Sequence, residues 1–379
     1  MSLAGGLLTL WTETPLKYAH QISRSLGVEA YLKLENMHPS HSFKYRGISH
    51  FILQKQIEIG DHAHFVIASG GNAGLAAACA ARRLKSRCTV YIPEFVSPST
   101  LQLLKSEEAE VVVVGTCYNA ALAAAKEFVD TEPDSVMVPA YDDPLVWEGH
   151  SSMIREIYDE ISKKPSAIFC SVGGAGLLGG ILKGCKAVGW EDGKLLPALE
   201  TMGSDCFYHS MSLNKGRFNA EKKELPPTVE LVHDKANDVY LAHFHKFDSK
   251  ASGSLGASEP AGAIVRMALD WPGGVKCVSV PDGISMETLA LFANDQKMLV
   301  ELSCSTTLVP AYHRALFNKL LPGGSPEEER TVVFIVCGGF KVSSSDAAEC
   351  QNLLDTDPRG NGETWTVKYD DGSLLTFEK

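Results

Sequence analysis

Lys44 stands in "HPSHSFKYRGISHF", His38 to Phe51, directly after a serine and an aromatic, where an apolar helix begins. Lysines are mostly solvated surface charges and are almost never fully buried unless paired. An amine at the start of a buried helix is chemically different, because desolvation lowers its pKa and makes it a nucleophile or a base. Three other stretches could work with it. "SVGGAGLLGG", Ser171 to Gly180, follows a strand-like run and opens a helix-like one, where free backbone N–H groups and the helix dipole can hold a phosphate. "ASGGNAGLAAACAAR" turns at Ser69, Gly70, Gly71 and Asn72, offering N–H groups and a hydroxyl suited to a carboxylate, or simply a helix cap at Asn72. "FIVCGGFKVS" ends an apolar strand at Cys337 ahead of two glycines, and such a thiol alone also reads as a core residue.

The glycine-rich turn admits a rival chemistry. Gly174, Gly176 and Gly179 satisfy G-x-G-x-x-G, and Glu200 ends the next strand-like run, "KLLPALE", as a ribose-binding acid would in a dinucleotide site. Such a site usually sits on the first strand of its domain, whereas this one lies mid-chain. Together the four stretches place a lysine, a phosphate-type cradle, a carboxylate-type cradle and a neutral hydrogen-bonding group at strand ends, where α/β folds bind ligands. The cofactor that needs a lysine and a phosphate site at once is pyridoxal phosphate, whose aldehyde forms a Schiff base with Lys.

The elements that must position these groups follow an α/β pattern. "AYLKLE", "HFVIAS", "CTVYIP", "EVVVVG", "AIFCSV", "VKCVSV" and "TVVFIV" read as strands, and Ala- and Leu-rich helical segments alternate with them. The expectation is two open twisted parallel sheets with flanking helices. Residues 38–146 would form a small inserted α/β domain, and 1–37 with 147–345 the large cofactor-binding domain. Between 215 and 258 the alternation breaks down, and "NKGRFNAEKKELPP" reads as exposed loop. Residues 346–379 form an extension whose last two alternating runs predict a β-hairpin around Asp370-Asp371-Gly372-Ser373.

At 379 residues, with 45% hydrophobic and 21% charged residues, the chain has a globular composition. Its formal net charge of −11 argues against nucleic acid or an anionic membrane as partner. The ten cysteines are scattered, several in apolar runs, which suits a reducing cytosol better than a disulfide framework. The start lacks a signal-peptide pattern and no apolar run approaches membrane-spanning length, so a cytoplasmic location is expected.

The ordered set "TPL" (Thr14–Leu16), "PSHSFKYRG", "SGGNAG", "VGGAGL", "LETMGSDCF" and "VCGG" resembles the serine/threonine dehydratases, which belong to the fold type II (tryptophan synthase β-like) pyridoxal phosphate enzymes. The resemblance runs from about Thr12 to Val342. It implies that Lys44 carries the Schiff base with Phe43 packing beside the ring, and that Gly173, Gly174, Ala175, Gly176 and Leu177 hold the phosphate. It implies that Asn72 bonds the ring hydroxyl, that Cys337 faces the pyridine nitrogen, and that Ser69 to Asn72 take the substrate carboxylate. Ser69 would also handle a proton on the face opposite Lys44. Glu200, with carbonyls of Ser204, Leu255 and Ala257, would hold a monovalent cation, potassium. The implied activity is dehydration and deamination of L-serine or L-threonine by a homodimer.

Some residues depart from the family pattern. Ala175 replaces a glycine and must be α-like or the loop must differ. Leu302, Ser305 and Phe340 replace proline, glycine and asparagine and are expected to crowd the cofactor's rim. His243 and His245 suggest a metal but lack a third ligand. β-Replacement, racemisation or a biosynthetic elimination therefore stay open, as does an amino-acid sensor without catalysis.

Overall fold

The computed structural model describes residues 2–4, 7–161, 163–191, 196–214, 225–323, 330–356 and 364–379. Two sheets organise the chain. The smaller has four parallel strands in the order Glu110–Val113, Arg87–Ile92, His64–Ala68, Ser135–Met137. The larger has eight, and its centre is parallel: Val275–Val280, Leu196–Thr201, Ala167–Ser171, Thr331–Val336 and Glu29–Leu34. Its central strands are buried along their whole length, so their sequences run apolar without alternating.

The edges differ from the expected all-parallel arrangement. Leu16–Tyr18 pairs antiparallel with Glu29–Leu34 at one side. At the other side the expected hairpin forms from Thr364–Tyr369 and Leu374–Glu378, and it is no appendage, because Thr364–Tyr369 pairs antiparallel with Val275–Val280. Trp365, Val367 and Tyr369 point alternately into the large core. A second antiparallel hairpin, Val229–Asp234 with Val239–Phe244, lies where regular structure was not expected. Its charged alternation hid it, and Ala242 N–H donates to Ser210 Oγ (2.9 Å) to anchor it on the helix Cys206–Leu213. The loop expected across 215–224 lies outside the described residues.

The helix that begins with Lys44, Lys44–Ile59, ends at Gly60, whose φ of 104° closes it. Its first turn is tied to the end of a large-sheet strand: Phe43 N–H donates to the Cys337 carbonyl (3.0 Å), and Ser42 bridges Gly338. Its other anchor is Arg46, fully buried, whose guanidinium donates to Glu35 Oε2 (2.7 Å) and Oε1 (2.8 Å), to Glu156 Oε2 (2.6 Å), to Thr14 Oγ1 (3.0 Å) and to Ser152 Oγ (3.0 Å). Fully buried Lys33 adds an ion pair with Glu156 (2.7 Å). The cluster joins the strand Glu29–Leu34, the Lys44 helix and the helix Pro144–Glu160. Although buried, Glu35 is held well below the usual carboxylate range by Arg46 and His38.

Removing one partner of such a cluster strands the other charges. Arg46→Met should cost about 3–5 kcal/mol in urea unfolding. The contribution of Glu35, whose folded pKa is depressed, is fully present above its ordinary value of about 4.3 and is lost as pH falls toward the folded value. A variant as stable as the parent at pH 7 would contradict this account.

Candidate active site

The Lys44 amine projects from the first turn of its helix into a cavity of about 590 Å³ between the two sheets. It is half-buried. Its Nζ donates to the Ala140 carbonyl and lies 5.3 Å from the Phe43 ring centre and 5.8 Å from that of Tyr141. Burial lowers its pKa to about 8. With two ring faces and one carbonyl around it, and no carboxylate paired to it among the described residues, the amine loses its proton far more readily than an ordinary lysine.

The cavity brings together most residues singled out by sequence. Phe43, Lys44, Ser69, Gly70, Gly71, Asn72, Gly173, Gly174, Ala175, Gly176, Leu177, Leu255, Ala257 and Cys337 all line it. The Gly173–Leu177 turn leaves the strand Ala167–Ser171 and enters the helix Gly176–Ala187. It passes through a slot: a Cβ on Gly174 would fall 2.4 Å from the Tyr141 ring, and one on Gly173 2.9 Å from the Leu255 carbonyl. Ala175 is neither α-like nor spared. It takes φ +69°, ψ 4°, a left-handed backbone that costs an L-residue about 1–2 kcal/mol. Gly179 serves packing, since a Cβ there would strike Ile264 at 2.6 Å.

Across the cavity, Ser69 Oγ accepts the Gly71 N–H (3.2 Å). Asn72 begins the helix Asn72–Leu84, and its Nδ2 donates to Ser254 Oγ and to both oxygens of Glu301, each at 3.2 Å. Cys337 Sγ lies 3.4 Å from Ser171 Oγ, and a hydrogen bond with Cys304 followed by one with Ser171 lowers its pKa despite burial.

Two expected placements change. Glu200 is fully buried and away from the cavity, its oxygens accepting Phe207 N–H (3.0 Å) and Tyr208 N–H (2.6 Å) at the start of the helix Cys206–Leu213. It is not presented to a ribose, which removes the acid of the dinucleotide reading. Leu302, Ser305 and Phe340 do not line the cavity. Ser305 Oγ donates to the Ser285 carbonyl, and Phe340 packs against the small-sheet core, so these substitutions do not narrow the cavity. His243 and His245 do line the cavity, paired with Glu259 (3.1 Å) and Glu230 (3.1 Å), and no metal-type cluster occurs among the described residues. Tyr141, Glu301, Ser254 and Lys341 went unread in the sequence. Of these only Glu301 carried a local signal, an acid opening the serine-rich "ELSCSTT".

A lysine amine of lowered pKa and two glycine-rich turns lining one cavity are the layout of an α/β enzyme with a small-molecule site at its strand ends. The family model for pyridoxal-phosphate dependent enzymes matches residues 7–338, and the chain belongs to that family. The bovine L-serine dehydratase/L-threonine deaminase is 34% identical over 348 residues, covering 92% of this chain and 97% of that protein. The human protein of the same name is 33% identical, covering 88% and 92%. An L-serine ammonia-lyase from the fungus Rhizomucor miehei superposes with a TM-score of 0.78 at 29% identity, covering 91% of this chain and 99% of that one. The architecture is that of the fold type II members.

Acetic anhydride labelling of the cofactor-free protein should find Lys44 reactive with a midpoint near pH 8, against about 10.4 for an ordinary lysine. A Lys44 midpoint near 10 would show that the cavity does not desolvate the amine.

Proposed function

We propose that the chain is an ammonia-lyase that removes water and ammonia from a small β-hydroxy amino acid, L-serine foremost and L-threonine second, leaving a 2-oxo acid. The observation that carries this is the Lys44 amine, lowered to about 8, at a cavity that holds both cradles. Bound pyridoxal phosphate supplies an electron-withdrawing ring that acidifies the Cα–H of an attached amino acid. Gly173 to Leu177 would hold its phosphate, Asn72 and Cys337 its ring, and Phe43 would pack beside it. Cys337 offers a thiol where a carboxylate would favour a protonated ring nitrogen. Lys44, once free, would take the Cα proton as general base, a role that its lowered pKa supports. The Ser69–Asn72 turn would orient the substrate carboxylate, with the Ser69 hydroxyl available to move a proton. Serine and threonine differ by a methyl worth about 1–3 kcal/mol in a pocket.

We also infer a potassium site at Glu200. Burial, followed by the neighbouring Asp205, pushes the Glu200 carboxyl well above its usual range. A monovalent cation held by Glu200 with the carbonyls of Ser204, Leu255 and Ala257 would favour the ionised carboxylate. The scattered cysteines, several of them in apolar runs, support a reducing, cytoplasmic setting, and the family resemblance supports a homodimer.

Adding L-serine to the purified protein should change its visible absorption while pyruvate accumulates, faster in potassium than in choline, and Lys44→Ala should abolish both changes. An absorption change without pyruvate would favour replacement or racemisation. No visible band, even with added cofactor, would contradict the proposal.

A further inference from the structure

A second lysine reaches the cavity. Beyond Cys337, Gly338 and Gly339 take φ of +83° and +128° and fold the chain back across the cavity rim. There Phe340 N–H donates to Asn72 Oδ1 (3.2 Å) and Lys341 N–H to Glu301 Oε1 (2.9 Å), so the backbone is fixed at two successive residues. The Phe340 side chain packs into the small-sheet core, whereas Lys341 lines the cavity. A Cβ on Gly71 would stand 3.3 Å from Lys341 Nζ and 3.6 Å from Ser69 Oγ. An amine and a hydroxyl thus converge on a small space that exists because residue 71 is glycine. The nearby carboxylate, Glu301, already accepts from Asn72, Ser254, Ser303 and the Lys341 N–H. Among the described residues no acid forms an ion pair with the Lys341 ammonium.

We infer that Lys341 is a specificity-determining residue whose ammonium pairs with the α-carboxylate of the substrate over Gly71, alongside the Ser69 hydroxyl. This rests on the proposed amino-acid substrate and adds a charge to a cradle otherwise made of backbone N–H groups and a hydroxyl. The carboxylate does not change charge during elimination, so the contact is made equally in ground and transition states. It therefore acts on KM and leaves kcat in place.

The test uses the cofactor-loaded full chain and two ligands that cannot eliminate: L-alanine, and L-alaninol, which keeps the amine but lacks the carboxylate. Each is titrated by the change in visible absorption. Lys341→Gln should weaken L-alanine by about tenfold and leave L-alaninol unchanged, with Lys341→Arg retaining most of the affinity. The KM for L-serine should rise by a similar factor with kcat held. Gly71→Ala, which fills the shared space, should weaken L-alanine and not L-alaninol. Unchanged L-alanine binding in Lys341→Gln, or an equal loss for both ligands, would overturn the assignment. If neither ligand moves the band of the unsubstituted protein, the amino-acid reading itself fails and Lys341 falls with it.

Discussion

The hydrogen bond from Phe43 N–H to the Cys337 carbonyl fixes the geometry on which the site depends. It joins the first turn of the Lys44 helix to the end of a central strand of the large sheet, and so sets the amine and the thiol on one wall. The Arg46 cluster clamps the same helix from the other side, against the strand Glu29–Leu34 and the helix Pro144–Glu160. With both anchors in place, Lys44 has little freedom to retreat to solvent. Its amine stays where desolvation works on it. A lysine on a surface helix would relax outward and keep an ordinary pKa.

The parts of this site readable in the sequence share one property: their chemistry is local. Glycine turns at Ser69–Asn72 and Gly173–Leu177 announce themselves because a backbone that hugs a ligand or a neighbouring ring leaves no room for Cβ. Lys44 and Cys337 could be placed because each sits at a clean boundary between apolar periodicity and a turn. The central strands were legible from their continuous apolar runs.

What could not be read depends on how the elements pack in three dimensions. Glu200 sits at a strand end like an outward acid, yet its donors come from the helix start seven and eight residues later, inside the core. Tyr141 forms the slot wall for Gly174 from a segment with no special pattern. The hairpin Val229–Phe244 alternates with charges and lacks a short turn signature. Lys341, as a lysine in a polar stretch, has the composition of a surface residue, and only the fold brings it over Gly71. Ala175 is the clearest local miss. Its surroundings impose a left-handed backbone that the residue itself disfavours.

Two lysines of different character thus face one cavity: Lys44, half-buried against aromatic faces and a carbonyl, and Lys341, exposed at the rim. The central claim is that the first carries the cofactor. It is tested most directly by reducing the purified, cofactor-loaded protein with sodium borohydride, digesting it and locating the cofactor mass by tandem mass spectrometry. The account predicts a single adduct on Lys44. An adduct on Lys341 or any other lysine, or none, would contradict it.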